Sequence, residues 1–121
     1  MNEDYRKHIL RYLQIKDEVF AGSYIDLVCS GGSGKVGHHV VPISMSGLSR
    51  KKDRRVWLCG RVGHIYAHYL LWQGFVDYKN KLWFSYQSMY KAYFKGLLRS
   101  GGLSAGELLL SLYEKERGID G

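Results

Sequence analysis

Histidines cluster in one stretch of this sequence, and their spacing suits a divalent metal ion. Four of the five histidines lie between Gly37 and Trp72. His64 and His68 are four residues apart, so on a helix they share one face and can point at one atom. Paired histidines at this spacing are a good grip for a divalent metal. Such a pair alone would more often be ordinary core or surface residues, and the second histidine pair nearby favours the metal interpretation.

His38 and His39 are adjacent in the sequence Gly-His-His-Val-Val-Pro. Adjacent side chains on an extended segment point to opposite sides, so these two histidines should have different roles. If one binds the metal, the other is left to handle a proton, which an imidazole can do near pH 7. The pattern therefore indicates a metal ligand and an acid–base residue side by side.

Two short strands and a helix are expected to position these histidines. Residues 38–43 have a β-type sequence, with Pro42 at the edge or end of the strand. Residues 56–59 are apolar and short, as in the second strand of a hairpin. A helix is predicted over residues 61–74, with apolar side chains packed on the hairpin. This order places the metal between the hairpin and the helix.

Residues 44–53 form the predicted turn between the strands, with Gly47 as a bend. The densest positive cluster in the chain lies at the end of this turn and directly after it, and consists of Arg50, Lys51, Lys52, Arg54 and Arg55. A run of charges is usually a solvated loop, but beside a metal site it is well placed to bind phosphates that flank a scissile bond. Arg61, at the start of the predicted helix, adds positive charge for the same nucleic-acid phosphates.

The double histidine with two aliphatic residues and Pro42, followed roughly 25 residues later by His-x-x-x-His, resembles the HNH (ββα-metal, His-Me finger) nucleases. The small phage-type HNH endonucleases are the most similar variants, and the resemblance spans about residues 24–72. It implies a metal-dependent endonuclease that hydrolyses DNA phosphodiester bonds. By matching motif positions, it also implies that His38, His64 and His68 bind one divalent metal ion and that His39 is the general base.

One position departs from the family pattern. The family usually has Asn near Arg54 or Arg55, where it braces the loop that carries the catalytic histidine, and neither position is Asn here. The bracing must therefore differ, or the activity is weakened.

The resemblance leaves the identity of the metal open. Three imidazoles suit Zn, Ni, Co or Mn better than Mg by ligand type, although the family often works with Mg. We therefore expect one divalent metal ion, with Mg, Mn, Zn and Ni as the candidates.

The charge balance favours a polyanionic partner. The chain has 121 residues, a formal net charge of +7 and a sequence pI near 9.5. Nucleic acid is the usual partner of so basic a protein, so DNA is the expected partner. The alternative is a basic protein that has no such partner.

Cysteine usage and hydropathy indicate the compartment. Cys29 and Cys59 do not form a Cys-x-x-Cys motif or a disulfide framework. A cytoplasmic location is expected, which would be the host cytoplasm if the protein is phage-encoded. No segment approaches the roughly 18 consecutive apolar residues of a membrane span, so no membrane association is expected.

The length fits one α+β domain with a modest core. We predict a single nuclease-type domain over residues 1–121, in which a ββα-metal finger is embedded in a mainly helical fold. Residues 1–23 are predicted as an N-terminal helix and residues 24–74 as the metal core, which opens on a short strand at 24–29. Residues 75–121 are predicted as a helical C-terminal part.

Two segments outside the core carry basic residues with an open role. The basic residues beside His8, which are Arg6, Lys7 and Arg11, are predicted to form a solvated helix face. In the C-terminal part, aromatic and basic residues alternate, which is compatible with base stacking. The aromatic side chains recur at helical spacing, however, and this favours a buried stripe on a helix. Ser104 and Glu107 make a capping box for a last helix.

Two functions without catalysis remain compatible with these residues. The missing Asn is compatible with a catalytically inactive, metal-stabilised nucleic-acid-binding protein. Alternatively, a phage-type protein could bind a host factor through its aromatic C-terminal half. Metal-dependent nicking of plasmid DNA distinguishes a nuclease from both, and salt-sensitive DNA binding distinguishes the two alternatives from each other.

Overall fold

Helices make up most of the described part of the fold, together with a two-stranded antiparallel sheet. The computed structural model describes residues 5–30, 36–49, 54–58, 60–94 and 105–116. Within these ranges the elements are α1 (Arg6–Tyr12), α2 (Glu18–Ser30), β1 (Val36–His39), α3 (Ile43–Ser46), β2 (Arg55–Leu58), α4 (Arg61–Gly74), a 3₁₀ turn (Tyr78–Asn80), α5 (Lys81–Phe94) and α6 (Ala105–Glu116). The predicted α+β class, with a mainly helical fold, is confirmed at this level. None of the helices in these ranges is long and apolar enough to cross a membrane.

The β1–β2 sheet orients the two adjacent histidines. Its cross-strand partners are Val36 and Leu58, Gly37 and Trp57, His38 and Val56, and His39 and Arg55. Cross-strand partners project from the same face of a sheet, and neighbours along a strand project from opposite faces. His38 and Val56 are buried, whereas His39 is half-buried and Arg55 is exposed. The sheet therefore has an inner face that carries His38 and an outer face that carries His39.

Helix α4 is the element on which the other elements of the site pack. It contacts α2, α5 and α6 as well as both strands. Its buried residues are Val62, Gly63, Ile65, Ala67, Leu70, Leu71 and Gly74. A Cβ at Gly74 would lie 2.7 Å from the backbone nitrogen of Ala21, so a glycine here allows the end of α4 to approach α2 closely. The predicted helix over residues 61–74 is confirmed with the same bounds.

The N-terminal segment forms two helices, α1 and α2, where the sequence predicts one helix within residues 1–23. Between them, the backbone N–H groups of Lys16 and Asp17 donate to the carbonyl oxygen of Gly74, at 2.8 and 3.1 Å. The Asp17 carboxylate accepts from the N–H of Val19 at 3.0 Å, which caps the start of α2. The prediction of a single helix is wrong because hydrogen bonds to the end of α4 replace those of a continuous helix.

The strand predicted at residues 24–29 is also wrong, since these residues belong to α2. Tyr24, Leu27 and Val28 are all buried. Their spacing of three and four residues is that of one helix face. A weak alternation over six residues cannot be told from this helical spacing, and the packing of α2 on α4 decides between them.

The first strand ends earlier than the predicted range of 38–43. Pro42 precedes the short helix α3, and Ile43 is its first residue. Proline has no N–H to donate to a sheet and its fixed φ suits the start of a helix. Gly47 follows α3 with a φ of 68°, a left-handed conformation that glycine adopts readily, and this confirms the predicted bend.

Helices α5 and α6 confirm that much of the segment 75–121 is helical. Tyr86 and Tyr90 of α5 are buried, and the Tyr86 ring stacks on Trp72 of α4 with 5.3 Å between centroids. These aromatic rings pack toward α4, as the helical spacing predicts. Ser104 of the predicted capping box lies outside the described residues.

Candidate metal centre

Three histidine side chains meet between the sheet and α4. The ring centroids lie 5.0 Å apart for His38 and His64, 4.9 Å for His38 and His68, and 5.0 Å for His64 and His68. One ring nitrogen from each side chain lies within 4.8 Å of the other two. The three predicted ligands are therefore close enough to hold one metal ion.

The positions of these rings follow from the periodicity of two elements. On α4, His64 and His68 are one turn apart, on the side that faces the inner surface of the sheet. On β1, strand alternation turns His38 toward the same point. His38 is fully buried, and the other two side chains are partly buried. One wall of the cluster is thus a strand and the other is a helix.

Burial keeps the three imidazoles neutral. It is the largest cause that holds the pKa of His38 well below its usual value of 6.5, and the charges of His68, His64 and His39 lower this pKa further. The pKa of His68 is lowered to about 3, first by burial and then by His64 and His39. Burial and the charge of His39 also lower the pKa of His64. An imidazole must be unprotonated to bind a metal, so the cluster is in the ligating form at neutral pH.

Two ring nitrogens of the cluster are buried and form no hydrogen bond within the described part of the protein. Neither His38 Nδ1 nor His68 Nδ1 has a hydrogen-bond partner among the residues that the structure describes. A buried polar atom in this state costs about 1–3 kcal/mol, and native interiors contain few of them. A metal ion accepts such lone pairs, and imidazole nitrogens are ligands for Zn, Ni and Mn. The residues present therefore fit a divalent metal ion.

His39 lies on the outer face of β1, and it is not part of the three-histidine group found within the described ranges. Its side chain is half-buried. Its charge nevertheless contributes to the lowered pKa of all three clustered histidines. His39 is thus electrostatically close to the cluster while facing a different environment.

The outer face of the sheet brings an arginine beside His39. Arg55 is its cross-strand partner, and the Arg55 guanidinium lies 5.5 Å from the centroid of the Trp57 ring. A Cβ on Gly37 would lie 2.5 Å from Arg55 Nη2 and 3.3 Å from the Trp57 ring. The absence of a side chain at Gly37 is therefore what lets this guanidinium lie across the outer face.

The loop after His39 is held by contacts that the sequence does not reveal. The N–H of Val40 donates to the carbonyl oxygen of Arg54 at 3.0 Å. The Tyr5 hydroxyl donates to the carbonyl oxygen of Arg55 at 3.4 Å, and the Arg54 guanidinium lies 4.8 Å from the Tyr5 ring centroid. A backbone hydrogen bond and a tyrosine of the N-terminal segment thus hold the backbone at Arg54 and Arg55.

A cavity of about 460 Å³ opens beside one of the clustered histidines. It is lined by Arg61, His64, Ile65, Met89 and Ala92. Arg61 is exposed and is the first residue of α4, so a cation and a cluster imidazole border the same space. Met89 and Ala92 come from α5, and no pattern in the sequence indicates their position against α4.

The predicted nucleic-acid-binding residues do not all lie together. Arg55 lies on the outer face and Arg61 borders the cavity at α4. Arg54 lines a second cavity of about 360 Å³ with Lys7, His8 and Arg11 of α1. The basic residues of α1, predicted as a solvated face, therefore share a cavity with a residue of the hairpin. The remaining three, Arg50, Lys51 and Lys52, lie outside the described residues.

Among the described residues, the structure brings His38, His64 and His68 close enough to hold one metal ion, and His39 is not part of this group. Comparisons with protein-family models, curated proteins and solved structures found no match for this chain. The assignment of a function therefore depends on the chemistry of this site and on the sequence pattern that carries it.

Proposed function

We propose that this protein is a metal-dependent endonuclease that hydrolyses DNA phosphodiester bonds, and that β1, β2 and α4 form a ββα-metal finger. The observation that carries the proposal is the division of four histidines between two environments. Three neutral imidazoles converge at one point, and the fourth lies on the opposite face of the same strand. A binding site for a structural metal would need only the first group.

His38, His64 and His68 are the residues that would hold the ion. When bound, a divalent ion at this point supplies Lewis-acid stabilisation of the charge on a phosphate and on a leaving oxygen. The protein contributes three ligands that stay unprotonated because burial lowers the pKa of each. It also holds two of them one helical turn apart, so that little ordering is required on binding.

His39 is the general base in this proposal. Hydrolysis requires that a water oxygen form a bond to phosphorus while the bond from phosphorus to the leaving 3′ oxygen breaks. The attacking water must lose a proton, and an imidazole in its neutral form accepts it. His39 is half-buried, close to the cluster and on the outer face, so it can reach a water molecule without being a ligand.

Arginines on both sides of the cluster would bind the phosphate backbone. Arg55 is the cross-strand partner of His39, and Arg61 borders the cavity beside His64. Guanidinium groups bind phosphate oxygens through paired N–H donors. The substrate class is therefore a nucleic-acid strand whose phosphates run past both arginines, and a net charge of +7 favours its approach.

A second function has one observation in its favour. Arg54 and Arg55 stand where the resembled family has its bracing Asn. Without that residue, the end of β1 that carries His39 is held by contacts of Tyr5 with Arg55 and of Val40 with Arg54. If these contacts hold His39 where it cannot reach the attacking water, the protein would bind DNA and a stabilising metal without cutting the DNA.

Supercoiled plasmid DNA incubated with the purified protein tests the proposal directly. The protein is first stripped with a chelator and then loaded separately with Mg, Mn, Zn or Ni. We expect nicked or linear plasmid with at least one metal and none in excess chelator. Intact plasmid with every metal, together with salt-dependent retardation of the same DNA in a gel, would instead support the non-cutting binder.

A further inference from the structure

Tyr24 makes two contacts that bear on the chemistry of His38. This tyrosine lies on α2 and is fully buried. Its hydroxyl oxygen lies 2.8 Å from His38 Nε2, and the same hydroxyl contacts the carbonyl oxygen of Val40 at hydrogen-bond range. The Tyr24 and His38 rings meet edge to face with 5.9 Å between centroids. Tyr24 therefore contacts a proposed metal ligand at the Nε2 atom of its ring.

The number of protons decides the direction of these hydrogen bonds. A tyrosine hydroxyl has one proton to donate, and a carbonyl oxygen can only accept. The bond to Val40 must therefore use the hydroxyl proton. The contact with His38 can be a hydrogen bond only if His38 Nε2 carries a proton and donates it to the hydroxyl oxygen.

This direction selects one tautomer of His38. A neutral imidazole carries its proton on one nitrogen and a lone pair on the other. With the proton on Nε2, the lone pair is on Nδ1, which is buried and has no hydrogen-bond partner in the described part of the chain. The opposite tautomer would leave Nδ1–H without an acceptor and would set two lone pairs against each other at Nε2. Both groups would then be buried without satisfaction.

We propose that Tyr24 is a positioning residue that holds His38 in the Nε2–H tautomer, so that Nδ1 is the atom presented to the metal. This inference rests on the metal centre of the proposed function. Metal-binding histidines usually donate the second ring N–H to a neighbouring group, which fixes both tautomer and ring orientation. Here the Tyr24 hydroxyl is the acceptor for that N–H, and it donates its own proton to the carbonyl oxygen of Val40.

The tautomer is measurable in the metal-free protein, without reference to any activity. Long-range ¹H–¹⁵N NMR spectra of the histidine side chains distinguish a protonated from an unprotonated ring nitrogen. The His38 signals are assigned by their loss in a His38→Gln variant. We expect a protonated Nε2 and an unprotonated Nδ1 for His38 in the wild type near neutral pH. A wild-type spectrum with the proton on Nδ1 would overturn the inference and needs no further variant.

Tyr24→Phe removes the hydroxyl and keeps the ring. In this variant we expect a mixture of His38 tautomers and a roughly 10–100-fold weaker affinity for Zn²⁺, measured by competition with a chelator, which is about the effect of removing such a supporting group. Tyr86→Phe is the matched control, since Tyr86 is a buried tyrosine of α5 whose ring stacks on Trp72 of α4. It should keep the wild-type tautomer and the wild-type affinity.

The two measurements separate this inference from the proposed function. Weaker Zn²⁺ binding by Tyr24→Phe with an unchanged His38 tautomer would mean a packing effect and would contradict the inference. The expected wild-type tautomer in a protein that binds no metal would support the role of Tyr24 in setting the tautomer, and it would remove the metal centre itself.

Discussion

The two faces of β1 carry the same side chain in two different chemical environments. His38, on the inner face, is fully buried and hydrogen-bonded to Tyr24. His39, one residue later, is half-buried on the outer face beside Arg55. A strand reverses side-chain direction at each residue, so a step of one residue is enough to move a histidine from a neutral cluster to a cationic surface. The comparison teaches that two adjacent histidines can meet different chemical environments, as the proposed ligand role of His38 and the proposed general-base role of His39 require.

The largest expected effect is on the three-histidine cluster, which lies between the inner face of the sheet and α4. A His64→Ala, His68→Ala double variant should lose detectable binding of one divalent ion per chain, because two of three ligands are gone. Calorimetric titration of the chelator-treated protein measures this directly. His8→Ala serves as the control, since His8 lies on α1, outside the cluster. Metal binding by the double variant at wild-type affinity would contradict the assignment of these ligands.

Replacing His39 on the outer face should have the next largest effect, and this effect should be on the rate of cleavage alone. His39→Ala is expected to lower the rate of plasmid nicking by on the order of 10²–10⁴, the usual contribution of a general base. Its affinity for metal and for DNA should stay near the wild-type values, because His39 is not in the three-histidine group found among the described residues. A His39→Ala variant with weakened metal binding would place this residue among the ligands and would break the contrast between the two faces.

Acid should lower the stability of the metal-free protein through the buried histidines of the same cluster. The pKa values of His38 and His68 are lowered in the folded protein, to about 3 for His68. The unfolded chain therefore begins to bind protons at these side chains near pH 6.5, whereas the folded protein binds them only at lower pH. The free energy of unfolding should therefore fall as pH decreases through this window, by at most about 1.4 kcal/mol per pH unit for each such histidine. Thermal unfolding in chelator at a series of pH values across this window measures the slope.

A His68→Gln variant sharpens the acid experiment. It removes one of the two strongly affected histidines, so the decrease in melting temperature with acid should be shallower than in the wild type. An identical pH dependence in the two proteins would mean that His68 is not held neutral in the folded state.

The smallest expected effects concern the basic residues that are predicted to bind DNA phosphates. Replacing Arg50, Lys51 and Lys52 by Ala should weaken binding to DNA of any sequence and lower the salt slope by about 0.9 for each phosphate that the variant no longer neutralises. Lys7→Ala with Arg11→Ala tests the cavity that α1 shares with Arg54 in the same way.

The control for these DNA measurements is a Lys91→Ala, Lys115→Ala variant. Both lysines are exposed, on α5 and α6, so the change in net charge equals that of the α1 pair. Equal decreases of affinity in the two double variants would mean that total charge, rather than a particular surface, determines binding.

Local patterns predicted the elements of the metal centre well. The bounds of α4 agree with the prediction, and His64 and His68 share a face because helix periodicity requires it. The order of two short strands and a helix is also observed. The same kind of pattern failed at residues 24–29 and at the break between α1 and α2. There, contacts with α4 over long sequence distances override a weak local preference.

The sequence by itself determined which residues could bind a metal and that His38 and His39 would face opposite ways, because both follow from the repeat of a helix and of a strand. Only the tertiary structure decided that Tyr24 contacts His38, that α5 closes a cavity beside His64, and that α1 meets Arg54. These contacts join residues far apart in the chain, and the burial that results lowers the pKa of His38 well below its usual value. No local repeat encodes them, since they arise from the packing of separate elements around α4.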